Sequence, residues 1–252
     1  MGRAFEFRKA RKMKRWSKMA KTFTRIGKDI VIAVKDGGPN PDTNSRLRQV
    51  MQNAKSANMP KDNVLRAIKK ANDKDTLNYE EMSLEGYAEN GIAIFVDCAT
   101  NNNNRTVADV RSYFNKCGGN LGTNGSLDFI FNRKGVFTIK RDNITINFDD
   151  FEMELIDSGL EELEKENDQV NIYCDFKDFN SMQVKIESLG IQIENSELQR
   201  IPNSVKKVNA EQAISVLKLL DLLEENDDVQ QVFHNMELTE EILNLMEKEN
   251  SL

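Results

Sequence analysis

The residues best suited to chemistry in this 252-residue sequence are cations near its start. Residues 1–28 contain 11 Lys and Arg against a single acid, Glu6. Five of these cations recur at spacings of three or four residues, namely Lys14, Lys18, Lys21, Arg25 and Lys28. On a helix this spacing makes a ladder of positive charge about 160° away from Trp16. Such a ladder neutralises phosphates, and the counterions it releases favour binding to nucleic acid.

The candidate nucleic-acid-binding residues extend beyond this ladder toward the start of the chain. The full set is Arg8, Lys9, Arg11, Lys12, Lys14, Arg15, Lys18, Lys21, Arg25 and Lys28. Phe5, Phe7 and Trp16 are interleaved with them and could stack on bases. Two other interpretations stay open: a solvated helix face, or a surface that docks on the acidic part of the same protein.

The net charge of −6 hides a strong asymmetry between two parts of the sequence. Residues 1–77 carry a net charge of +13, whereas residues 78–252 carry −19. A basic segment of this kind indicates nucleic acid, an anionic membrane or an acidic protein as partner. No helix-turn-helix, zinc-finger or RNP pattern is present, so we expect contacts to phosphates rather than a reading of base edges.

Motifs for catalysis are nearly absent from the sequence. It has no GxSxG, no HExxH and one histidine, His234. The loop GGNLGTNGS (118–126) is the best candidate for cradling a phosphate, but it lacks the lysine of a P-loop, and its glycines suit a turn better. Acid-rich segments at 160–168 and 224–229 are expected to be solvated faces. We therefore expect no enzyme activity, no metal site and no cofactor.

Cysteine and hydropathy patterns exclude two further protein classes. Cys98, Cys117 and Cys174 are widely spaced and odd in number, which argues against a disulfide framework or a structural zinc site and predicts buried free thiols. The longest apolar runs have five residues, whereas a membrane-spanning helix needs about 20. The acid-poor start also resembles a mitochondrial transit peptide, but it contains a single serine and runs directly into patterned sequence.

Hydrophobic periodicity predicts three helices in the basic part. The first ends in the Gly- and Pro-rich segment 35–44, and Asp42 or Thr43 is expected to cap the second. Pro60 suits the first turn of a third helix that ends near Ala71. Its inward-facing residues are expected to be Val64, Leu65 and Ile68.

Short strands and helices alternate over the rest of the chain. The predicted strands are 84–88, 92–99, 127–132, 136–140, 144–148, 170–175, 191–200 and 229–235. The predicted helices are 104–116, 150–158, 178–189, 210–224 and 239–249. This order predicts an α+β multidomain protein with an N-terminal three-helix domain and two small ferredoxin-like α/β domains, one of them discontinuous. The domains are expected at 1–77, at 78–134 plus 203–252, and at 135–202 as an acidic insertion.

Two sequence blocks carry a resemblance to a known family. KTFTRIGKDIVIAVKDGGPNPDTNSRLRQVMQNAKSANMPKDNVLRAIKKA (21–71) and NNNNRTVADVRSYFNKCGGNLGTNGSLDFIFNRKG (101–135) closely resemble the YebC family. The start, MGRAFEFRKARKMKRWSK, differs from the commoner GHSKW-type opening, and we interpret it as a subtype.

The resemblance implies a fold and two functions. It implies three domains, one discontinuous, in a non-enzymatic cytoplasmic protein without a membrane partner. The family is usually described as DNA-binding transcriptional regulators. It also includes a mitochondrial activator of cytochrome oxidase subunit translation and bacterial members linked to ribosomes stalled on proline-rich peptides. Duplex DNA and ribosomal RNA are therefore both expected targets, and the acidic α/β domains could bind the ribosome or another protein.

Overall fold

The chain folds into two compact units, Met1–Glu80 and Glu81–Leu252. The computed structural model describes the backbone of residues 3–73, 78–166 and 168–243, and the side chains of these ranges from residue 19 onward, except residue 166.

The first unit contains the three helices predicted from periodicity. They are α1 (Arg3–Gly37), α2 (Ser45–Ser56) and α3 (Lys61–Ala71). The buried apolar side chains form one core, made of Ile26, Ile30, Val31, Ala33, Val34, Leu47, Val50, Ala54, Val64 and Ala71. Because the α1 members of this core begin at Ile26, α2 and α3 pack on the C-terminal end of α1.

The cap of α2 differs from the predicted one. Asn44 occupies the N-cap position, and its side-chain oxygen accepts a hydrogen bond from the backbone N–H of Leu47 at 3.0 Å. The prediction of Asp42 or Thr43 was wrong because both precede this position and lie exposed in the turn. Asn44 is 5% exposed, so the cap is also a buried part of the unit.

The second unit contains a first antiparallel sheet whose strands come from distant parts of the chain. Its strands are β1 (Glu80–Tyr87), β2 (Ala93–Thr100), β3 (Asn120–Leu121) and β8 (Val229–His234), in the order β3-β1-β2-β8. Helices α4 (Asn103–Lys116) and α7 (Ala210–Glu225) contribute to the core on one face of this sheet. The predicted strands 84–88 and 92–99 are confirmed and lie next to each other in this sheet, and α4 buries Val110 and Phe114 against it.

A second four-stranded sheet is formed by the segment between these elements. Its strands are β4 (Phe131–Lys140), β5 (Leu160–Glu166), β6 (Gln169–Asp175) and β7 (Ile193–Pro202), in the order β5-β6-β4-β7. Helices α5 (Phe148–Ile156) and α6 (Phe179–Ser188) share a core with it. The expected α+β fold, with one α/β domain interrupted by the other, is confirmed. The domain boundaries at 134/135 and 202/203 stay predictions.

The largest errors of the sequence-based prediction concern β4. The predicted strand 127–132 is a turn up to residue 130, and the predicted strand 144–148 does not form. Instead, β4 is a ten-residue central strand paired with both β6 and β7. Gly135 suggests a break between strands, but it lies inside β4. The position requires glycine because a Cβ there would lie 2.6 Å from the Phe179 ring.

The other differences are smaller. β5 was not predicted, because its acids suggested a solvated segment, although Leu160 and Leu163 pack against the core. The predicted helix 239–249 is helical at 240–243, and the remainder lies outside the described residues. The three cysteines are buried and free, as predicted. Within the described ranges, no helix has the length and apolar character needed to cross a membrane.

Candidate nucleic-acid interface

All ten candidate cations lie on one continuous helix, α1. The set is Arg8, Lys9, Arg11, Lys12, Lys14, Arg15, Lys18, Lys21, Arg25 and Lys28. The side chains of the first seven lie outside the described part of the structure, whereas their backbone is helical. The helix therefore brings the ten positions onto one element, and their role in binding nucleic acid stays a prediction.

The three candidates with described side chains differ in exposure. Lys21 and Arg25 are partly exposed, whereas Lys28 is only 7% exposed. The Lys28 ammonium lies 5.1 Å from the centroid of the Tyr79 ring, in a cation–π contact. The ladder therefore ends inside the helical unit, and Lys28 is the least accessible to a phosphate of the three candidates with described side chains.

Helices α2 and α3 add exposed cations that the sequence analysis did not single out. They are Lys55, Lys61, Arg66, Lys69 and Lys70. Leu65 was expected to point inward but is 49% exposed. The signal was present in the spacing, since Lys61, Leu65 and Lys69 follow at intervals of four residues and share one face of α3. The described surface of the helical unit therefore presents positive charge from more than one helix.

The glycine-rich loop 118–126 is held by a carboxylate of the chain itself. Glu85, on β1, is 4% exposed and accepts hydrogen bonds from the backbone N–H groups of Gly125 at 2.8 Å and Leu127 at 2.6 Å. The Ser126 hydroxyl donates to the same carboxylate at 3.3 Å. A phosphate at these amides would face Glu85, so the geometry favours the turn interpretation of this loop. No motif in the sequence links Glu85 to a loop that begins 33 residues later.

A second buried acid lies in a segment that was expected to be solvated. Asp228 is 7% exposed and accepts hydrogen bonds from the hydroxyls of Thr100 at 3.1 Å and Thr106 at 2.9 Å. Arg105 donates to it at 2.6 Å, and this hydrogen bond raises the pKa of the guanidinium. The solvated interpretation of 224–229 is therefore wrong for Asp228, which ties the start of α4 to the start of β8.

The remaining candidates from the sequence analysis are His234 and the acidic segment 160–168. His234 lies in β8, its Nδ1 accepts the backbone N–H of Met236 at 3.2 Å, and burial lowers its pKa. In β5, Glu162 and Glu164 are exposed, as expected for an acidic face. Among the described residues, no three His, Cys, Asp or Glu side chains are grouped as ligands for a metal ion.

Comparison with known proteins covers almost the whole chain. Residues 3–74 match the TACO1/YebC protein N-terminal domain, and residues 79–236 match the TACO1/YebC second and third domain. A protein of Flavobacterium johnsoniae called "Probable transcriptional regulatory protein" is 57% identical over 236 residues, which cover 94% of this chain and 99% of that protein. A protein of Myxococcus xanthus with the same name is 50% identical over 241 residues, which cover 94% of this chain and all of that protein.

A solved structure has the same fold. The crystal structure of a conserved hypothetical protein from Aquifex aeolicus is 38% identical in sequence and superposes with a TM-score of 0.77, over 89% of this chain and 92% of that one. The matches span both compact units, so the chain belongs to the TACO1/YebC family.

Proposed function

We propose that this protein is a non-enzymatic cytoplasmic regulator of gene expression that binds duplex DNA through the cations of α1. The observation that supports it most is the placement of all ten candidate cations on one helix, with further exposed cations on α2 and α3. The names of the similar proteins agree with a regulator of transcription. In this proposal the acidic α/β unit binds a protein partner or a second copy of the chain.

The proposed contact is to phosphates rather than to base edges. Lys and Arg on a helix neutralise the DNA backbone without a sequence-reading pattern, and each such contact contributes about −0.9 to the slope of log K against log salt. Leu65 lies among the exposed cations of α3, so its apolar side chain could add contact with sugars or bases.

Ribosomal RNA is the second candidate target, which would make the protein a translational activator that relieves stalling on proline-rich peptides. One feature of α1 favours it. On an ideal helix the seven cations from Arg8 to Lys18 are spread over an arc of about 220°. A groove of duplex DNA contacts a narrower strip of a helix, whereas folded RNA can surround it and is recognised by shape and phosphates.

The first experiment separates the two targets. The intact protein is crosslinked in living cells, and all attached nucleic acid is sequenced. Discrete duplex DNA sites with ribosomal RNA at background support the transcriptional proposal. Ribosomal RNA concentrated near one site supports the translational one and makes effects on transcription indirect. An association that survives nuclease and yields neither nucleic acid contradicts both and indicates a protein-binding adaptor.

A matched pair of variants tests the role of α1. The variant Lys14→Glu, Lys18→Glu, Lys21→Glu and Arg25→Glu should lose binding, because it removes four phosphate contacts that together contribute about 3 to 4 to the salt slope. The control reverses four exposed lysines of the α/β unit, Lys116, Lys177, Lys207 and Lys218, and should bind like the unchanged protein. Equal binding by the two variants would contradict the role of α1. Nucleotide turnover that is lost on altering Asn120 or Asn124 would instead revive an enzymatic function for the loop 118–126.

A further inference from the structure

Two arginines lie directly opposite each other on neighbouring strands of the second sheet. Arg133 on β4 and Arg200 on β7 are paired residues in the antiparallel ladder. Each guanidinium lies over an aromatic ring: the Cζ of Arg133 is 3.9 Å from the centroid of Phe176, and the Cζ of Arg200 is 3.6 Å from the centroid of Phe95. Like charges directly opposite each other in such a ladder destabilise it, so this arrangement calls for an anion.

One nearby carboxylate neutralises only part of this charge. The Nε of Arg200 lies 3.5 Å from Oδ2 of Asp97, which also accepts a hydrogen bond from the Ser83 hydroxyl at 2.6 Å. The Nε of Arg200 is buried and has no hydrogen-bond partner. Among the described residues, no carboxylate lies within 4.0 Å of Arg133. The two guanidinium groups therefore share one ion-paired acid, and Glu81 attracts Arg133 only from beyond 4.0 Å.

The environment of Arg133 shows the cost of this surplus charge. Burial lowers the pKa of its guanidinium and the neighbouring charge of Arg200 lowers it further, whereas Asp97 and Glu81 each raise it by less. The residue is nevertheless exposed enough to meet a ligand, and the Phe176 ring beside it is 42% exposed. A guanidinium group is planar, and its N–H donors can bind phosphate through two parallel hydrogen bonds.

The geometry points to a phosphate-binding site formed by Arg133 and Arg200 in the α/β unit. Both arginines belong to the α/β unit, and their role does not depend on the function proposed for the α1 cations. Because residues 78–252 carry a net charge of −19, a long polyanion is repelled by most of this region. The site would therefore hold a single phosphate group, from either a free phosphate or one point on a nucleic-acid strand.

Calorimetric titration of the full chain with inorganic phosphate tests the site. The unchanged protein should bind phosphate saturably, and Arg133→Gln should weaken this binding about tenfold. Arg133→Lys keeps the positive charge but loses the two parallel N–H donors of the guanidinium, and should give an intermediate affinity. Arg111→Gln removes an exposed arginine of α4 and is the matched control, with no expected change. Phosphate bound by α1 is excluded by repeating the titration in the four-residue α1 charge-reversal variant.

Thermal unfolding distinguishes a binding site from a structural ion pair. The phosphate-free unfolding temperature of each protein is the reference, because Arg133→Gln removes both the repulsion from Arg200 and the contact with the Phe176 ring. Added phosphate should raise the unfolding temperature of the unchanged protein more than that of the variant. Equal phosphate affinity in both proteins, or an equal rise of their unfolding temperatures on addition of phosphate, would overturn the proposal.

Binding to nucleic acid identifies the source of the phosphate. If Arg133→Gln also reduces the salt slope for an oligonucleotide by about 0.7 to 0.9, the phosphate belongs to a nucleic-acid strand. If the slope is unchanged while binding of inorganic phosphate falls, the ligand is a small phosphate compound.

Discussion

The two compact units use their charges in opposite ways. In the acidic α/β unit, Glu85 and Asp228 are buried and accept several hydrogen bonds from their own chain. In the basic helical unit, cations such as Lys61 and Lys69 lie exposed, and Lys28 is the one buried cation among its described side chains. Net charge alone therefore does not show which charges a partner can reach, because some acids hold loops together while most described cations remain on the surface.

Removing Glu85 should give the largest effect, since it tests whether the acidic unit depends on an internal carboxylate. Glu85→Ala leaves the backbone N–H groups of Gly125 and Leu127 and the Ser126 hydroxyl without their acceptor, at a cost of about 3 kcal/mol in the free energy of unfolding. Glu85→Gln keeps one acceptor oxygen and should cost less. Urea denaturation measures the loss, and hydrogen exchange should accelerate at Gly125 and Leu127. Unchanged exchange at these amides would show that the carboxylate does not hold the loop.

The variant Asp228→Ala should have the next largest effect, about 2 kcal/mol. The cost is smaller because the Thr106 hydroxyl already donates to that of Thr100 at 2.8 Å, and Arg105 can turn into water. Asp227→Ala, at the exposed neighbouring position, is the control and should change the free energy of unfolding little. If urea denaturation gave equal losses of unfolding free energy for the two variants, the buried Asp228 would stabilise the unit no more than an exposed acid does.

In the helical unit, Asn44→Ala tests whether a neutral buried side chain stabilises its unit as Glu85 and Asp228 stabilise theirs. Besides capping α2, the Asn44 amide donates to the carbonyl oxygens of Ala33 at 2.7 Å and Gly38 at 2.8 Å. We expect a loss of about 1.5 kcal/mol, measured by thermal unfolding. Thr43→Ala alters a residue that does not cap the helix and should be nearly neutral. A larger loss from Thr43→Ala would contradict the observed cap.

The smallest predicted effect concerns pH and His234. Burial lowers its pKa in the folded protein, so the folded state disfavours the protonated imidazole. This contribution to stability is present above the unfolded pKa of about 6.5 and is lost as the pH falls through and below that value. Comparing urea denaturation of the unchanged protein and His234→Gln across this range should show a weaker pH dependence for the variant. Parallel curves would contradict the assignment to His234.

Periodic and local signals were sufficient to predict most helices and several strands. α1, α3 and α7 follow from hydrophobic spacing, and the strands β6 and β7 were predicted to within two residues of their observed ends. Features that depend on distant partners were not predictable. Gly135 looks like a turn until Phe179 is placed against it, and the burial of Lys28 depends on Tyr79, which lies outside the helix pattern.

The candidate functional residues also differ in whether the sequence alone reveals them. The cations of α1 are evident from composition and spacing, because a run of positive charge needs no partner to be recognised. The roles of Glu85 and of the Arg133–Arg200 pair arise from strand pairing and loop closure, which join residues 40 or more positions apart. No local pattern distinguishes these residues from ordinary surface charges.

The pairing of β2 with β8 has a consequence for how the protein is made. Phe95 pairs with Phe233, and the backbone N–H of Ala93 donates to the side chain of Asn235, 142 positions later. During synthesis the helical unit and the second sheet can therefore form before the first sheet acquires its last strand. Until then, the apolar edge of β2 is open to pairing with other nascent chains. A chain that lacks the residues after α7 would keep this edge of β2 unpaired permanently.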